Sequence, residues 1–362
     1  MFSDIYKNKK ILITGHSGFK GSWLSQWLIT LDAEVYGISL SPHTVPSHHN
    51  LLKSKSKVKN LYFSILDEKK LNKTIASIKP DFIFHLAAQA IVKESYNNPL
   101  LTWKTNLLGS INIIEAASKL KNNCNLIMIT SDKCYENIEQ VWGYKENDVL
   151  GGKDPYSASK ASTEIALHSY CNSFFRKKNN KIRLVTARAG NVIGGGDWSN
   201  DRIVPDCVRA WSKKNVVNLR NPNSTRPWQH VLEPLSGYLT LGLMLAKDAK
   251  LSGESFNFGP YHPSSQSVLD LVKEMKLHWK DVKYQTTKSK NKNFESGLLK
   301  LNCDKAAYVL NWHSVLDFNQ TAEMTINWYK HFYNNCDVNK LTKDDIKLYI
   351  EYAKQKKLDW LK

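Results

Sequence analysis

Thr130, Ser131, Asp132 and Lys133 place hydroxyls, a carboxylate and an amine in one short run, directly after the apolar stretch Asn125-Leu-Ile-Met-Ile129. Such a stretch makes a buried parallel strand, and open α/β sheets bind their ligands at the carboxyl ends of their strands. The side chains therefore reach one rim together, where they can pass protons to and from a bound molecule. Further along, Asp154-Pro-Tyr-Ser-Ala-Ser-Lys160 opens a helix, and the spacing of Tyr156 and Lys160 puts both on one helix face. An ammonium beside a phenol favours the phenolate. The pair thus predicts a Tyr156 pKa drawn down from about 10 towards neutrality, suited to a general base acting on an alcohol. Each piece alone is weak. A Tyr and a Lys at this spacing are often only neighbours on a wet helix face, and Ser-Asp after a strand also makes an N-cap and turn. Their order, behind a glycine-rich turn near the N-terminus, gives them weight.

That turn is Gly15-His-Ser-Gly-Phe-Lys-Gly21, between a first strand ending at Thr14 and an amphipathic helix from Ser22. Glycines 15, 18 and 21 allow a tight bend and let backbone N–H groups reach a pyrophosphate at the helix N-terminus. A second strand is expected over Glu34–Leu40; its end carries neither the carboxylate nor the arginine that would separate NAD from NADP. A third is expected over Leu61–Ile65, followed by Asp67 as the cap of a helix over 68–78. A fourth runs from Asp81 into an exit loop whose small Ala87 and Ala88, before Gln89, admit a flat cofactor. A long helix over 97–120 is expected to bury Leu100, Leu107, Leu108, Ile111 and Ile114, and it carries Asn106. The Tyr156 helix is expected to reach about Phe175, ahead of a strand over Lys181–Arg188. This alternation predicts an α/β fold: a Rossmann-type doubly wound parallel sheet with a smaller, mostly helical C-terminal substrate lobe. The expected division is 1–189 plus 229–260 for the dinucleotide-binding domain and 190–228 plus 261–362 for the substrate lobe. In the lobe, Arg220, Arg226, Trp228 and His230 lie close in sequence, arginines for phosphate and aromatics for a base, or else a surface loop with ordinary ion pairs.

A formal net charge of +18 can signal nucleic acid, but the lysines are spread over runs such as 53–59, 177–181, 288–292 and the last twenty residues, with no nucleic-acid module beside them. An anionic small substrate and a solvated surface account for the sign, so no nucleic-acid partner is expected. No apolar run approaches the length of a membrane helix and no secretory h-region opens the chain, so neither membrane association nor export is expected. Cys124, Cys134, Cys171, Cys207, Cys303 and Cys336 include no C-x-x-C pair, which fits a reduced, cytoplasmic protein. No metal site is expected.

The glycine turn, the Ala87-Ala88 loop, Asn106, Ser131 and the Tyr156/Lys160 pair together resemble the extended short-chain dehydrogenase/reductase superfamily. More narrowly, the stretches 15–24, Thr130-Ser-Asp-Lys-Cys-Tyr135, 188–198, 226–238, 299–306 and 310–313 are similar to the CDP-glucose 4,6-dehydratase family, a likeness covering about residues 8–335. The resemblance implies an NAD-dependent lyase acting on a CDP-sugar. Tyr156 would take the sugar 4-hydroxyl proton, with Lys160 on the nicotinamide ribose and Ser131 in the proton relay. Lys133 would act as base at C5, where other 4,6-dehydratases carry glutamate, and Asp132 as acid on the departing 6-hydroxyl. It further implies cofactor contacts at Gly15, Gly18, Phe19, Lys20, Gly21, Ser64, Ile65, Ala87, Ala88, Gln89 and Asn106. Ser64 stands where relatives often have Asp. Substrate contacts are implied at Asn191, Arg202, Arg220 and Arg226, and a homodimer or homotetramer paired through the helices at 97–120 and 156–175. A 4-epimerase, or a dehydratase of another NDP-sugar, stays open as an alternative; Asp132-Lys133 speaks against a simple epimerase. So does a redox-sensing regulator without catalysis, against which Ser131, Tyr156 and Lys160 stand.

Overall fold

The computed structural model describes residues 1–177, 180–260, 266–280, 282–286 and 298–362; the lysine run 288–292 and part of 177–181 lie outside them. Seven parallel strands form the central sheet: β1 (Lys10–Thr14), β2 (Glu34–Ser39), β3 (Lys59–Tyr62), β4 (Phe82–His85), β5 (Cys124–Ile129), β6 (Ile182–Ala189) and β7 (Ser255–Phe258). Their order is 3-2-1-4-5-6-7, so the chain reverses direction of travel between β1 and β4. A parallel sheet buried on both faces needs apolar side chains on both, and these strands supply them. Ile11, Ile13, Phe82, Phe84, Ile127 and Val185 join one core. Leu12, Ile83, Leu126, Met128 and Leu184 join the other.

Helices α1 (Phe19–Thr30) and α6 (Leu232–Lys247) cover the first face; α2 (Glu68–Ile78), α3 (Gly109–Ser118) and α4 (Pro155–Tyr170) cover the second. Asp67 caps α2 as expected, accepting from Lys70 N at 3.0 Å. The helix expected over 97–120 begins earlier and is broken: Val92–Asn97, Pro99–Trp103, a π-turn at Lys104–Leu108, then α3. Its expected apolar face is split. Ile114 is buried, but Leu100 and Leu108 are 64% and 48% exposed. Pro99 resets the helix, and the extra residue of the π-turn rotates α3 relative to the turns before it. The third strand lies at 59–62, ahead of the 61–65 expected.

Outside the central sheet lie α5 (Ile203–Trp211), α7 (Val268–His278) and α8 (Phe318–Tyr333), with short strand pairs such as Val216–Leu219 with Lys283–Thr286. Trp312 and Trp328 are buried and Trp279 half-buried. The last helix, α9 (Val338–Gln355), and the turn after it return to the first face of the sheet. Trp360 stacks on Phe2 with ring centroids 5.1 Å apart, and Lys362 O accepts from Ser3 N at 2.8 Å. Among the described residues, no helix is long and apolar enough to cross a membrane.

Candidate active site

The strand–turn–helix at the N-terminus is built around three glycines with different jobs. Gly15 has φ +75°, and a Cβ there would sit 2.8 Å from Ala87 N. A Cβ on Gly21 would lie 2.2 Å from Gly15 O, so α1 can close on the turn only without a side chain. At Gly18 a Cβ would meet only Gly15 O, at 3.3 Å. Gly18 is also the N-cap of α1, and no side chain caps it. The first-turn amides are therefore left for an anion, in a cradle that only glycine keeps open.

Across the sheet edge, Asn106 sits buried in the π-turn. Its Oδ1 accepts from Gln89 N at 2.8 Å, and its Nδ2 donates to Gln89 O at 3.1 Å and Ser159 Oγ at 2.9 Å. It thereby fixes the Ala87–Gln89 loop to α4. Ser64 Oγ accepts from Leu66 N, and Ile65 packs against Gly109 of α3.

At the end of β5, Ser131 is extended and caps the short 3₁₀ turn Asp132–Cys134. Asp154 caps α4, accepting from Ser157 N at 2.9 Å with Pro155 at the first helical position. Ser131, Asp132, Tyr156 and Lys160 are all buried, Lys133 half-buried. Ser131 Oγ donates to Asp132 Oδ1 at 2.9 Å, and Ser131 neighbours the Tyr156 phenol closely enough to favour its ionised form. Asp132 Oδ2 is buried with no hydrogen-bond partner among the described residues. Burial raises its pKa, against the pull of Lys133, Ser131 and Arg226. A carboxyl so placed holds its proton more tightly than a solvated one.

The expected lowering of the Tyr156 pKa is not found. Burial pushes the phenol up to about 12; Ser131 and Arg202 pull the other way, while Asp132 adds to the rise. Lys160 is itself lowered to about 8 by burial, and its Nζ approaches Ile129 O at 3.5 Å. Spacing along the helix locates the cation but not the desolvation, which here is the larger effect.

Lys20 faces the same space from α1. Its Nζ lies 3.5 Å from Tyr238 OH, and burial, Lys160 and Arg202 lower its pKa to about 8. Tyr238, on α6, escaped sequence reasoning because it is one aromatic in an apolar helix. Gly190 closes over Asp132: a Cβ there would stand 3.1 Å from Asp132 Oδ2 and 3.4 Å from Pro227 Cγ. Gly190 and Arg226 line a cleft there with Trp228, Gly259, Gln266 and Lys300, and Asn191 follows Gly190, its O accepting from Gln229 N at 3.3 Å. Arg202 pairs with Asp197 at 2.7 Å. Arg220 is more exposed, pairs with Asp201 at 3.5 Å on the lobe's outer rim, and does not join the buried cluster. His230 is fully buried and edge-on to Trp23, part of the core; Trp228 is buried too, its Nε1 donating to Gln266 O. His230 therefore offers no face to a base, whereas Trp228 lines the cleft.

A 3-2-1-4-5-6-7 parallel sheet, a glycine cradle at its first helix and a buried Ser/Tyr/Lys set at its carboxyl edge define an extended short-chain dehydrogenase/reductase. Residues 12–325 match the family model of GDP-mannose 4,6 dehydratase, and the chain belongs to that family. It is 39% identical over 350 residues to CDP-glucose 4,6-dehydratase of Salmonella typhimurium, covering 96% of this chain and 98% of that one. Two solved structures share the fold. UDP-glucose-4-epimerase of Stenotrophomonas maltophila, with bound NAD and formylated UDP-arabinopyranose, superposes with a TM-score of 0.77 at 18% identity, over 91% of this chain and 100% of that one. dTDP-glucose 4,6-dehydratase of Bacillus anthracis in complex with NAD gives 0.71 at 20% identity, over 89% and 97%.

Proposed function

We propose that the chain is an NAD-dependent hydro-lyase that converts CDP-glucose to CDP-4-dehydro-6-deoxy-glucose. One observation carries the choice of dehydration over epimerisation: Asp132, a carboxyl whose pKa burial raises, presents beside Ser131 and Tyr156 an oxygen with no hydrogen-bond partner among the described residues. An epimerase has no use for such an acid. The 39% identity to a CDP-glucose 4,6-dehydratase over nearly the whole of both chains supports the same substrate.

The open cradle at Gly18 and the uncapped first turn of α1 fit the pyrophosphate of a dinucleotide. Phe19 and Lys20 continue that turn; Ser64, Ile65, Ala87, Ala88, Gln89 and Asn106 line or fix its flank. NAD held in this cradle would supply the hydride acceptor for sugar C4 and the hydride donor for C6. Tyr156 takes the 4-hydroxyl proton, with Ser131 holding the phenol and Lys160 supplying positive charge below it. Once C4 is a ketone the C5 proton is acidic. Lys133 removes it, Asp132 gives its own proton to the departing 6-hydroxyl, and water leaves. Lys133 then returns a proton to C5. Each such transfer by a positioned group is worth about 10² to 10⁴ in rate. Asn191, Arg226 and Arg202 are assigned to the diphosphate side of the substrate, Arg220 to its outer rim.

The apolar side chains of Leu100, Leu108 and Ile165, the last 59% exposed, support pairing of two copies through the helices around Pro99–Ser118 and α4. The remaining division, a dinucleotide domain and a substrate lobe with α9 returning to the former, belongs to the same proposal. The test is incubation with CDP-, dTDP-, GDP- and UDP-glucose in the presence of NAD. The expected result is a 4-keto product one water lighter from CDP-glucose at the highest kcat/KM. An isobaric product, or preference for another base, would overturn the assignment.

A further inference from the structure

A buried polar cluster takes no part in the chemistry above, yet it touches both halves of the site. Glu164 lies on α4, one turn beyond Lys160, and is buried. Its carboxylate accepts from Thr130 Oγ1, from Thr186 Oγ1 at 2.9 Å, and from Arg188 Nε and a second guanidinium nitrogen, each at 3.0 Å. Arg188, equally buried on β6, donates to Tyr135 OH at 2.7 Å and to Glu146 O at 2.9 Å, and Tyr135 OH donates to Asn257 Oδ1 at 2.8 Å. Thr130 immediately precedes the Ser131–Lys133 segment and Tyr135 closely follows it. Both ends of that segment are therefore tied, through one ion pair, to the helix that carries Tyr156 and Lys160.

A buried ion pair is an expensive way to hold a core together, since well-packed apolar residues of similar volume do it as well or better. Fixing one backbone segment against another is a use for which directional bonds are suited. We propose that Glu164 and Arg188 are positioning residues, which set the register of Ser131, Asp132 and Lys133 against Tyr156 and Lys160 and on which turnover depends. This rests on the dehydratase reading for its choice of assay. Glu164 has a second effect through space. Lys160 is faced by Glu164 on its own helix, Cys134 from the turn, Lys20 from α1 and His85 from β4, and of these Glu164 gives the largest push towards the charged form.

The test compares the wild type with Thr130→Val, which breaks one tie, and with the double variant Glu164→Leu/Arg188→Met, which replaces the pair by apolar groups. The double variant is expected to fold with a Tm close to wild type. Its kcat on CDP-glucose is expected to fall on the order of 10- to 100-fold with KM changed little, as for a displaced catalytic segment. The alkaline limb of its kcat profile is expected to move to lower pH, because Lys160 loses the neighbouring negative charge. Thr130→Val is expected to lower kcat in the same sense without the pH shift. A double variant, or a Thr130→Val protein, that folds and keeps wild-type kcat and limb would overturn the proposal and leave the dehydratase reading intact. Wild-type protein inactive on CDP-glucose would overturn that reading instead. Crystal structures of wild type and variants would then decide the positioning claim: a Ser131–Lys133 segment displaced relative to Tyr156 and Lys160 supports it, an unmoved segment refutes it.

Discussion

Asp132 and Tyr156 are acids pushed the same way by the same enclosure, and the consequences differ. For Asp132 the upward shift is in the direction that suits an acid acting on a leaving hydroxyl. For Tyr156 it is a cost, since a phenol at about 12 is a reluctant base and its neighbours offset only part of the burial. The identity of both residues was legible in the sequence, because strand-end and helix-start motifs fix which side chains meet at a rim. The direction of the Tyr156 shift was not, because desolvation depends on everything that closes over the ring. Tyr156→Phe should lower kcat about 10²- to 10⁴-fold while Tm holds, since the packed ring is kept and only the proton acceptor goes. Steady-state kinetics beside a thermal melt checks this, and retained turnover would refute the role.

The glycine turn separates binding from folding within one element. Gly15 and Gly21 serve close packing, while at Gly18 a Cβ would meet a single atom, Gly15 O at 3.3 Å, a tight contact that a small shift relieves. Gly18→Ala should therefore leave Tm nearly unchanged and weaken NAD about tenfold or more, a loss of roughly 1.4 kcal/mol or greater. Calorimetric titration with NAD measures it; unchanged affinity would place the pyrophosphate elsewhere. The regular elements here were readable: α2 lies where the Asp67 cap and the expected helix over 68–78 put it. The π-turn at Lys104–Leu108 was not. It exists because Asn106 is drawn inward to bond both the Gln89 backbone and Ser159, a tertiary demand that no local pattern in the Leu-rich run reveals.

On the scale of the whole molecule, the C-terminal segment closes the first face of the sheet. Tyr349 OH donates to Glu233 at 3.0 Å, and Glu233 also accepts from Val315 N at 2.9 Å and Leu316 N at 2.6 Å, joining α6, the lobe and α9 at one buried carboxyl. The lysine-rich tail offered no motif, because its apolar residues have partners at the opposite end of the chain, such as Trp360 against Phe2. Burial raises the Glu233 pKa to about 7 from 4.5. Its contribution is complete below about 4.5 and is lost as pH rises through 7. Across that window the wild type should lose on the order of 3 kcal/mol relative to Glu233→Gln, which does not titrate. Denaturant unfolding of both proteins at pH 4.5 and 8 tests this, and a constant gap would contradict it.

The most direct measurement follows CDP-glucose and NAD with wild type and with Asp132→Asn, reading product mass and nicotinamide absorbance together. Wild type should give a sugar nucleotide one water lighter with no lasting change in absorbance. Asp132→Asn should hold its 6-hydroxyl and accumulate a species two hydrogens lighter, with absorbance rising in step. Water loss by Asp132→Asn at the wild-type rate, or a wild-type product of unchanged mass, would contradict the account.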